Sequence, residues 1–495
     1  MVDYPKNYAE YVFNYNADRS NKSAYIDKHG SMTFGQLANN SHAFAQQLRM
    51  NGVNAGDFVM LALPNTKKFP AAFLGCIIVG AVIVTVDPDL DKDSVVNLAN
   101  KTSAKCIVST ETFYKISQVP VFIDIDQPMV YQSNVTYHHY DPNDLVMLLC
   151  TSASTGEPKL VKHRSRLLFD IVELVRNAEF NITDTSVVLC TSKISFGYSL
   201  TNNMIATLST GATAIIFDST ISPTNIINLI NEHRVTHLFA SPPVYNLMLN
   251  KKDLQLPSHL EILVCTGESL PRTLEINFRE KYKIPIFNVY GWSEMPWVAI
   301  VNDPKNHRVG SIGKALPGLQ FKILDPDGKD CAVGVPGVLF VHTSKTSNGY
   351  YSATESQNLA FSNGWFKTDD VVYQDQDGFY FFVNRNGLYV KINSTWTSAQ
   401  EIENLLWSTG KINDCTVVFD KTDDGIFEAL AFVVIKEEIQ TTDIALQLRS
   451  DLTKIAKSNQ IPKKIYTLSV LPRSKRNKRI IDKKILEEAY FANRT

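Results

Sequence analysis

The chain has 495 residues, of which 44% are hydrophobic and 20% are charged, and its formal net charge is −1. This length exceeds what a single ordinary hydrophobic core accommodates, so two or more domains are expected. The near-neutral charge gives no reason to expect nucleic acid or an anionic membrane as a partner.

The seven cysteines are dispersed, odd in number and without a CxxC pair. They indicate reduced thiols, and the N-terminus lacks the regions of a secretory signal peptide, so a cytoplasmic protein is predicted. An almost uninterrupted apolar stretch runs from Pro70 to Val86. Because it is shorter than about 20 residues and ends in β-branched residues, we predict a buried helix followed by a strand rather than a membrane span.

The predicted elements begin with a helix that Thr33 caps and Gly52 ends, followed by a strand from Phe58 to Leu63. Helices and short apolar strands then alternate, which is typical of stacked βα units with largely parallel sheets. Ligands of such sheets bind at the carboxyl ends of the strands. The further predicted strands are 107–109, 145–150, 187–189, 214–217, 237–240, 262–264 and 286–289.

From Gly310 onward the pattern changes to short β-rich pieces separated by turns, which indicates an antiparallel or barrel-like subdomain. After residue 388 the chain returns to a mixed pattern, with helices predicted near 398–407 and 444–458. We therefore place a domain boundary at 385–388.

The segment 151–159, here called the phosphate-type loop, follows the apolar strand 145–150. Backbone N–H groups and hydroxyls can surround phosphate oxygens, Gly156 permits a tight turn, and Lys159 supplies a positive charge. The spacing of glycine and lysine differs from the GxxxxGK[ST] loop of P-loop NTPases. The hydroxyl-bearing residues of the loop are Thr151, Ser152, Ser154 and Thr155.

This loop resembles the first signature of the adenylate-forming superfamily, which includes acyl-CoA synthetases, adenylation domains of peptide synthetases, and luciferases. The signature reads Thr-Ser-Gly-Ser-Thr-Gly-x-Pro-Lys-Gly, and the chain departs from it at two fixed positions, Ala153 and Leu160. Further signatures follow in the family's order over nearly the whole chain. The resemblance implies an α/β fold with a large N-terminal domain (1–384, including a β-barrel-like subdomain at 310–384), a hinge (385–388) and a small mobile α+β domain (389–495).

The second signature is Tyr290-Gly291-Trp292-Ser293-Glu294, which resembles the family's Tyr-Gly-x-Thr-Glu. The resemblance implies that the aromatic ring lies near the adenine, the serine hydroxyl near the α-phosphate, and the carboxylate near Mg²⁺. A glutamate is a hard oxygen ligand of the kind that Mg²⁺ accepts beside substrate phosphates.

The third signature, 364–370, resembles Trp-Tyr-x-Thr-Gly-Asp, and Asp370 matches the carboxylate that accepts both ribose hydroxyls. Asp369 replaces a glycine, which leaves open whether it raises the pKa of Asp370 or points outward. The fourth, 384–391, resembles the family's hinge motif, in which Arg385 would bind ribose or phosphate oxygens. Gly387 stands where the hinge residue usually is.

The last signature, 471–478, resembles Leu-Pro-Arg-Thr-x-x-Gly-Lys. Lys478 matches the mobile lysine that bridges the substrate carboxylate and the α-phosphate, where developing charge must be stabilised. Ser394 replaces a glycine over which pantetheine slides in the family. The thiol acceptor therefore stays open between CoA and a carrier-protein phosphopantetheine.

The candidate acid pocket is closest in pattern to benzoate-CoA ligases. No Asp occupies the position at which amino-acid-activating relatives bind the α-amine, so an amine-free aromatic or other apolar acid is favoured. The residues at the positions of the pocket are Phe196, Gly197, Tyr198, Tyr245, Trp292 and Met295, with Gly267 and Glu268 at the nucleotide site.

The sequence thus predicts ATP- and Mg²⁺-dependent conversion of a small carboxylic acid to an acyl-adenylate, followed by thioester formation with CoA. One alternative is an adenylating enzyme that loads a carrier protein. Another is a non-catalytic nucleotide- or acyl-binding relative, suggested by the substitutions in the signatures. Neither nucleic acid nor membrane is expected as a partner, and the oligomeric state is open between monomer and homodimer.

Overall fold

The structure is a computed structural model that describes residues 5–110, 119–127, 135–151, 159–176, 180–218, 221–325, 327–343, 345–347, 349–352, 360–385, 389–392, 395–422, 427–436, 439, 443–472 and 486. The side chains of residues 296, 297, 384, 385, 389–391, 395, 396, 400 and 421 are outside this description. The chain forms two compact units. Unit 1 is Met1–Gln320 with Val341–Phe366, and unit 2 is Phe321–Phe340 with Lys367–Thr495. The hinge at 385–388 stays a prediction.

Several helices of unit 1 begin at a residue whose side chain caps the helix. Thr33 caps the second helix through a capping box with Gln36, as predicted, because each side chain accepts a hydrogen bond from the other residue's backbone N–H. The helices are α1 (Tyr8–Tyr15), α2 (Phe34–Met50), α3 (Lys68–Val79), α4 (Lys92–Thr102), α5 (Ser165–Arg176), α6 (Gly197–Ser199), α7 (Thr207–Thr210), α8 (Pro223–Glu232), α9 (Pro242–Asn250) and α10 (Arg272–Tyr282). A π-helical stretch, Leu200–Ala206, joins α6 to α7, and 3₁₀ turns cover Ala17–Arg19 and Pro304–Asn306.

Fifteen described strands precede residue 316, and every strand predicted for this region is present. They are β1 (Ser23–Asp27), β2 (Gly30–Thr33), β3 (Phe58–Leu61), β4 (Val82–Thr85), β5 (Cys106–Ser109), β6 (Val121–Asp124), β7 (Leu145–Cys150), β8 (Leu160–Arg164), β9 (Val187–Cys190), β10 (Thr213–Ile216), β11 (His237–Ala240), β12 (Ile262–Cys265), β13 (Ile286–Trp292), β14 (Met295–Asn302) and β15 (Lys314–Ala315).

Two large sheets organise unit 1. One has six strands in the order β6-β5-β3-β4-β7-β8, parallel except for the antiparallel pair β7–β8. The other has nine strands in the order β15-β14-β13-β12-β11-β9-β10-β1-β2, with a parallel centre from β13 to β1. This confirms the predicted α/β class with stacked, mostly parallel sheets.

The apolar stretch 70–86 forms most of α3 and all of β4, as predicted, and every described residue of it is buried. Among the helices of the described residues, none has the length and apolar composition that a membrane span requires.

The β-rich segment and unit 2 carry shorter, largely antiparallel elements, as predicted. Strand β18 pairs antiparallel with the start of β19, and β20 pairs antiparallel with its remainder. The strands are β16 (Gln320–Leu324), β17 (Gly337–His342), β18 (Phe361–Ser362), β19 (Trp365–Gln374), β20 (Tyr380–Arg385), β21 (Tyr389–Ile392), β22 (Thr395–Ser398), β23 (Ile412–Lys421), β24 (Phe427–Ile435) and β25 (Lys464–Thr467). The helices are α11 (Ala399–Ser408) and α12 (Ile444–Ile455), with a 3₁₀ turn at Ser458–Gln460.

Candidate active site

The phosphate-type loop is closed at its base by a backbone hydrogen bond. The amide of Thr151 donates to the carbonyl of Lys159 at 3.0 Å. Strands β7 and β8, which flank the loop, pair antiparallel up to Cys150 and Leu160. The loop is therefore the connection of a hairpin whose two ends are fixed. The remaining predicted phosphate contacts, Ser152, Ser154, Thr155 and Gly156, lie outside the described residues.

Lys159 emerges from this base toward an aromatic ring. Its Nζ lies 5.2 Å from the centroid of the Tyr350 ring, within the range of a cation–π interaction. Tyr350 is 5% exposed and forms an isolated antiparallel bridge with Val161, two residues after Lys159. The lysine therefore has a defined neighbour on a segment almost 200 residues further along the chain.

Glu294 lies in a tight turn between two paired strands. Trp292 of β13 pairs with Met295 of β14, so Ser293 and Glu294 form the two-residue connection of this hairpin. Glu294 is 9% exposed, and its Oε1 accepts a 2.6 Å hydrogen bond from the Tyr350 hydroxyl. The carboxylate of the second signature is thus held by the same tyrosine that lies under the lysine of the first.

The segment that carries Tyr350 forms hydrogen bonds with β8 and with the turn that contains Glu294. The amide of Ser347 donates to the carbonyl of Glu294 at 2.7 Å, and its hydroxyl donates to the carbonyl of Lys162 at 2.7 Å. The amide of Tyr351 donates to the carbonyl of Leu160, also at 2.7 Å. These bonds hold the segment along the edge of β8, which fixes the position of Tyr350.

The aromatic residues of the second signature pack against each other. The rings of Tyr290 and Trp292 lie edge to face with centroids 5.1 Å apart, and Trp292 also contacts Phe366 at 6.3 Å. Trp292 and Met295 are buried, and Tyr290 is half-buried. Gly291 is exposed. Tyr290 therefore keeps an accessible surface of the kind that a purine ring stacks on.

The other pocket candidates follow neighbouring parallel strands. Phe196 and Tyr198 follow β9, while Gly267 and Glu268 follow β12, and both strands pair with β11 in parallel. Since parallel strands end at one edge of a sheet, these residues and the turn after β13 belong to the same edge, where ligands of α/β sheets bind. Gly267 has φ +92° and open space at its Cβ position, so its backbone is accessible.

Tyr198 and Tyr245 differ in their surroundings. Tyr198 is half-buried, and its hydroxyl donates to the carbonyl of Val264 at 3.3 Å. Tyr245 is completely buried, its hydroxyl donates to the carbonyls of Leu238 and Val264, and burial raises its pKa well above the usual value. Tyr245 is therefore enclosed in the core of this structure, and its assignment to the acid pocket stays a prediction.

A histidine beside these motifs is enclosed in the protein. His163 lies on β8, is 1% exposed, and has no hydrogen-bond partner for either ring nitrogen among the described residues. Burial lowers its pKa to about 3, and the nearby backbone of Ser293 opposes this effect only in part. The imidazole is therefore neutral at physiological pH and adds no charge to the phosphate region.

The ribose-binding candidates belong to unit 2. Asp370 on β19 is 1% exposed and pairs in register with Arg385 on β20, whose side chain is outside the described part of the chain. Asp369 is exposed. Of the two alternatives, the structure supports the outward orientation of Asp369, since adjacent strand residues point to opposite faces.

Three sequence-derived assignments, Lys478, Gly387 and Ser394, lie outside the described residues and stay predictions. The structure brings together Lys159 and Glu294, whereas Asp370 and Arg385 are described only within their own unit. The sequence reasoning missed Tyr350. The only local signal was Gly349-Tyr350-Tyr351 between strands, which is not specific.

Glu294 fits the coordination chemistry of Mg²⁺, which takes few protein carboxylates and keeps phosphate and water oxygens as its other ligands. Among the residues that the structure describes, no group of three or more His, Cys, Asp and Glu side chains could hold a metal ion. Glu294 is thus one buried, hydrogen-bonded carboxylate that could bind a metal arriving with a nucleotide.

Comparisons with known proteins identify the family of the chain. A family model described as AMP-binding enzyme matches residues 13–351. The chain is 26% identical over 438 residues to a 3-hydroxybenzoate--CoA/4-hydroxybenzoate--CoA ligase of Thauera aromatica, covering 83% of each chain. It is 24% identical over 484 residues to a 4-hydroxybenzoate--CoA/benzoate--CoA ligase of Rhodopseudomonas palustris, covering 93% of this chain and 90% of the relative.

Solved structures give the same result for the fold. A benzoate CoA ligase from Burkholderia xenovorans LB400 matches with a TM-score of 0.88 at 25% identity, covering 97% of this chain and 99% of that one. An anthranilate CoA ligase in complex with anthranoyl-AMP matches with a TM-score of 0.89 at 23% identity, covering 98% of both chains. The chain therefore belongs to the AMP-binding, adenylate-forming superfamily and is an enzyme of its AMP-forming acid–CoA ligase family.

Proposed function

We propose that this enzyme uses ATP and Mg²⁺ to activate a small aromatic or other apolar carboxylic acid, without an α-amino group, and transfers the acyl group to CoA. The observation that carries the proposal is the contact of Tyr350 with both Lys159 and Glu294. A cation suited to phosphate and a carboxylate suited to Mg²⁺ are thereby held close together, as binding of a metal-complexed triphosphate requires.

In the first half-reaction a carboxylate oxygen of the acid attacks the α-phosphorus of ATP, and the bond from this phosphorus to the bridging oxygen of pyrophosphate breaks. The products are acyl-adenylate and pyrophosphate. The protein's task is to position two anions and to neutralise charge, so no covalent nucleophile is needed. Lys159 provides positive charge at the triphosphate, and Ser293 provides a hydroxyl beside the α-phosphate. Glu294 would bind the Mg²⁺ that arrives with ATP, and the cation would partly neutralise the charge of the phosphates.

Lys478 is proposed as the cation that joins the acid and the α-phosphate in this step. It would lower the repulsion between the incoming carboxylate and the phosphate, and it would stabilise the charge that develops on the α-phosphoryl oxygens. Asp370 and Arg385 are proposed to bind the ribose.

In the second half-reaction the thiolate sulfur of CoA attacks the acyl carbonyl carbon, and the bond to the adenylate oxygen breaks with release of AMP. We assign the domain movement between the two steps to the hinge at 385–388, which would withdraw Lys478. This part of the proposal follows from the resemblance of the hinge motif.

The proposed acid class rests on the residues at the edge of the nine-stranded sheet. Phe196 and Tyr198 are half-buried and offer aromatic surface, and the sequence lacks an aspartate at the position that binds an α-amine in amino-acid-activating relatives. The names of relatives, which include hydroxybenzoate and benzoate ligases, support an aromatic acid.

The test is exchange of labelled pyrophosphate into ATP with a panel of benzoate, hydroxybenzoates, aminobenzoates, and short and medium aliphatic acids. We expect exchange that depends on the acid and is strongest for an aromatic one. No exchange with any acid across the panel, from protein that is folded by circular dichroism, would contradict adenylation and favour a nucleotide- or acyl-binding role.

A second assay separates CoA from a carrier protein as the acceptor. Ser394, which replaces a glycine of the family motif, is the reason to include both. Enzyme loaded with acyl-adenylate is offered CoA or a holo carrier protein, and thioester is quantified by mass spectrometry. We expect acyl-CoA; thioester on the carrier alone would identify the carrier-loading alternative.

A further inference from the structure

We infer that Tyr350 is a positioning residue of the nucleotide site, where its hydroxyl orients the metal-binding carboxylate of Glu294 and its ring positions the ammonium group of Lys159. The inference rests on the proposed function, because it assigns Glu294 to Mg²⁺ and Lys159 to phosphate. It adds a residue that none of the sequence motifs contains.

The hydroxyl contact has the geometry of a charge-assisted hydrogen bond. Tyr350 donates to Oε1 of Glu294 at 2.6 Å, and both side chains are nearly excluded from solvent, with exposures of 5% and 9%. One carboxylate oxygen is thereby engaged, which restricts the orientation of the carboxylate group. Carboxylates that bind metals usually have such a hydrogen-bonding partner, which orients them.

The ring contact acts on the other motif. Lys159 Nζ lies 5.2 Å from the ring centroid, while the same ring meets Phe361 edge to face with centroids 5.5 Å apart. The phenylalanine thus limits the orientations that the tyrosine ring can adopt. A long lysine side chain loses conformational entropy when it is held over a fixed ring. Because the side chain is already ordered before phosphate binds, binding costs less conformational entropy.

The backbone around Tyr350 explains how one residue serves both motifs. Gly349 has φ +116°, a conformation that favours glycine, and its carbonyl accepts from the amide of Lys162 at 3.0 Å. Ser347 bonds to the carbonyls of Glu294 and Lys162 on either side. The segment therefore ties β8 to the turn after β13, with Tyr350 projecting where the two signatures meet.

The two roles of Tyr350 can be separated by substitution. Tyr350→Phe removes the hydroxyl and keeps the ring, so it should weaken binding of Mg²⁺·ATP about 10- to 100-fold, as loss of a ligand's orienting partner does. It should leave binding of ATP in excess EDTA within about twofold. Tyr350→Leu removes the ring as well and should also weaken metal-free ATP binding, by about two- to tenfold.

Tyr351→Phe is the matched control, since it makes the same chemical change one residue along. The ring of Tyr351 packs against Phe58, with centroids 5.1 Å apart. Dissociation constants are measured by titration calorimetry with and without Mg²⁺, and thermal unfolding checks that each variant is folded. Glu294→Gln is combined with Tyr350→Phe in a double-mutant cycle, in which we expect the tyrosine change to have little additional effect on Mg²⁺·ATP binding.

A Tyr350→Phe variant that binds Mg²⁺·ATP as tightly as Tyr351→Phe would overturn the inference, as would full additivity with Glu294→Gln. These outcomes are distinct from failure of the proposed function, which shows as absence of acid-dependent exchange in the unsubstituted enzyme. Should the unsubstituted enzyme fail to bind Mg²⁺·ATP, both proposals would be overturned. If Tyr350→Leu does not fold, the comparison of the two phenylalanine variants still decides the role of the hydroxyl.

Discussion

The backbone of Thr151 is hydrogen-bonded to the backbone of Lys159 across the phosphate-type loop, with 3.0 Å between the amide nitrogen and the carbonyl oxygen. Residues before and after this pair continue as the antiparallel strands β7 and β8. Lys159 thus lies directly before the first residue of β8, and its backbone is held by the hydrogen bond from Thr151. Its ammonium group is presented from a fixed point, which favours preorganised binding of phosphate.

Replacing Lys159 with Met should therefore lower kcat/KM for ATP in the exchange assay by about 10²–10³-fold, as loss of one charge-stabilising donor typically does. Met preserves the length of the side chain and removes its charge. Lys162→Met is the control, because it makes the same chemical change three residues along the chain, on β8. Equal exchange rates for both variants would remove Lys159 from the nucleotide site.

Lys478 should act in only one of the two half-reactions. Lys478→Ala is expected to slow adenylation by about 10²–10³-fold, because a donor to the α-phosphoryl transition state is lost. Thioester formation from supplied acyl-adenylate should change much less. The two rates are measured separately by single-turnover assays with quenched flow. Equal losses in both would point to a general structural role for this lysine.

A buried, hydrogen-bonded carboxylate on α10 should contribute to stability. Oε1 of Glu275 on α10 lies 2.6 Å from Nε2 of His307, and Oε2 accepts from the amide of Gly310 at 2.9 Å. Glu275→Ala leaves both partners without this acceptor, so the free energy of unfolding should fall by about 1–3 kcal/mol for each buried group left unsatisfied. Urea denaturation measures this. Glu280→Ala, on an exposed position of the same helix, should change it by less than about 0.5 kcal/mol.

Local patterns in the sequence predicted most of the fold. The cap at Thr33, the buried helix and strand in 70–86, and the strands that end at the ligand-binding edge each depend on residues adjacent along the chain. The outward orientation of Asp369 also follows from strand alternation, once β19 is recognised as a strand that includes both aspartates. The structure extends the predicted strand 286–289 to Trp292, so the turn falls at Ser293 and Glu294.

The features that local patterns could not predict depend on contacts between distant segments. Tyr350 reaches Glu294 across 56 residues of sequence, and nothing in the neighbourhood of either residue encodes this hydrogen bond. The hydroxyl of Tyr245 likewise donates to the carbonyls of Leu238 and Val264 on two strands. The motif that contains Tyr245 does not encode these contacts, so its complete burial could not be predicted from the sequence.

The neutral, buried His163 should make the protein less stable as the pH falls. Its pKa in the folded protein is about 3, against 6.5 for an unperturbed histidine. The unfolded chain therefore binds a proton on this residue below about pH 6.5 that the folded chain does not bind until about pH 3. Stability from this group is fully present above pH 6.5 and decreases as the pH falls toward 3, by about 2 kcal/mol at pH 5.

His163→Leu removes this proton uptake and keeps an apolar side chain of similar size in the core. We expect the free energy of unfolding of the variant, relative to the unsubstituted protein, to rise by about 2 kcal/mol between pH 7.5 and pH 5. Urea denaturation at several pH values measures the difference. Met147→Leu is the control, since Met147 pairs with His163 in register and does not titrate. A difference that stays constant with pH would mean that His163 is protonated equally in both states, and that burial does not keep it neutral.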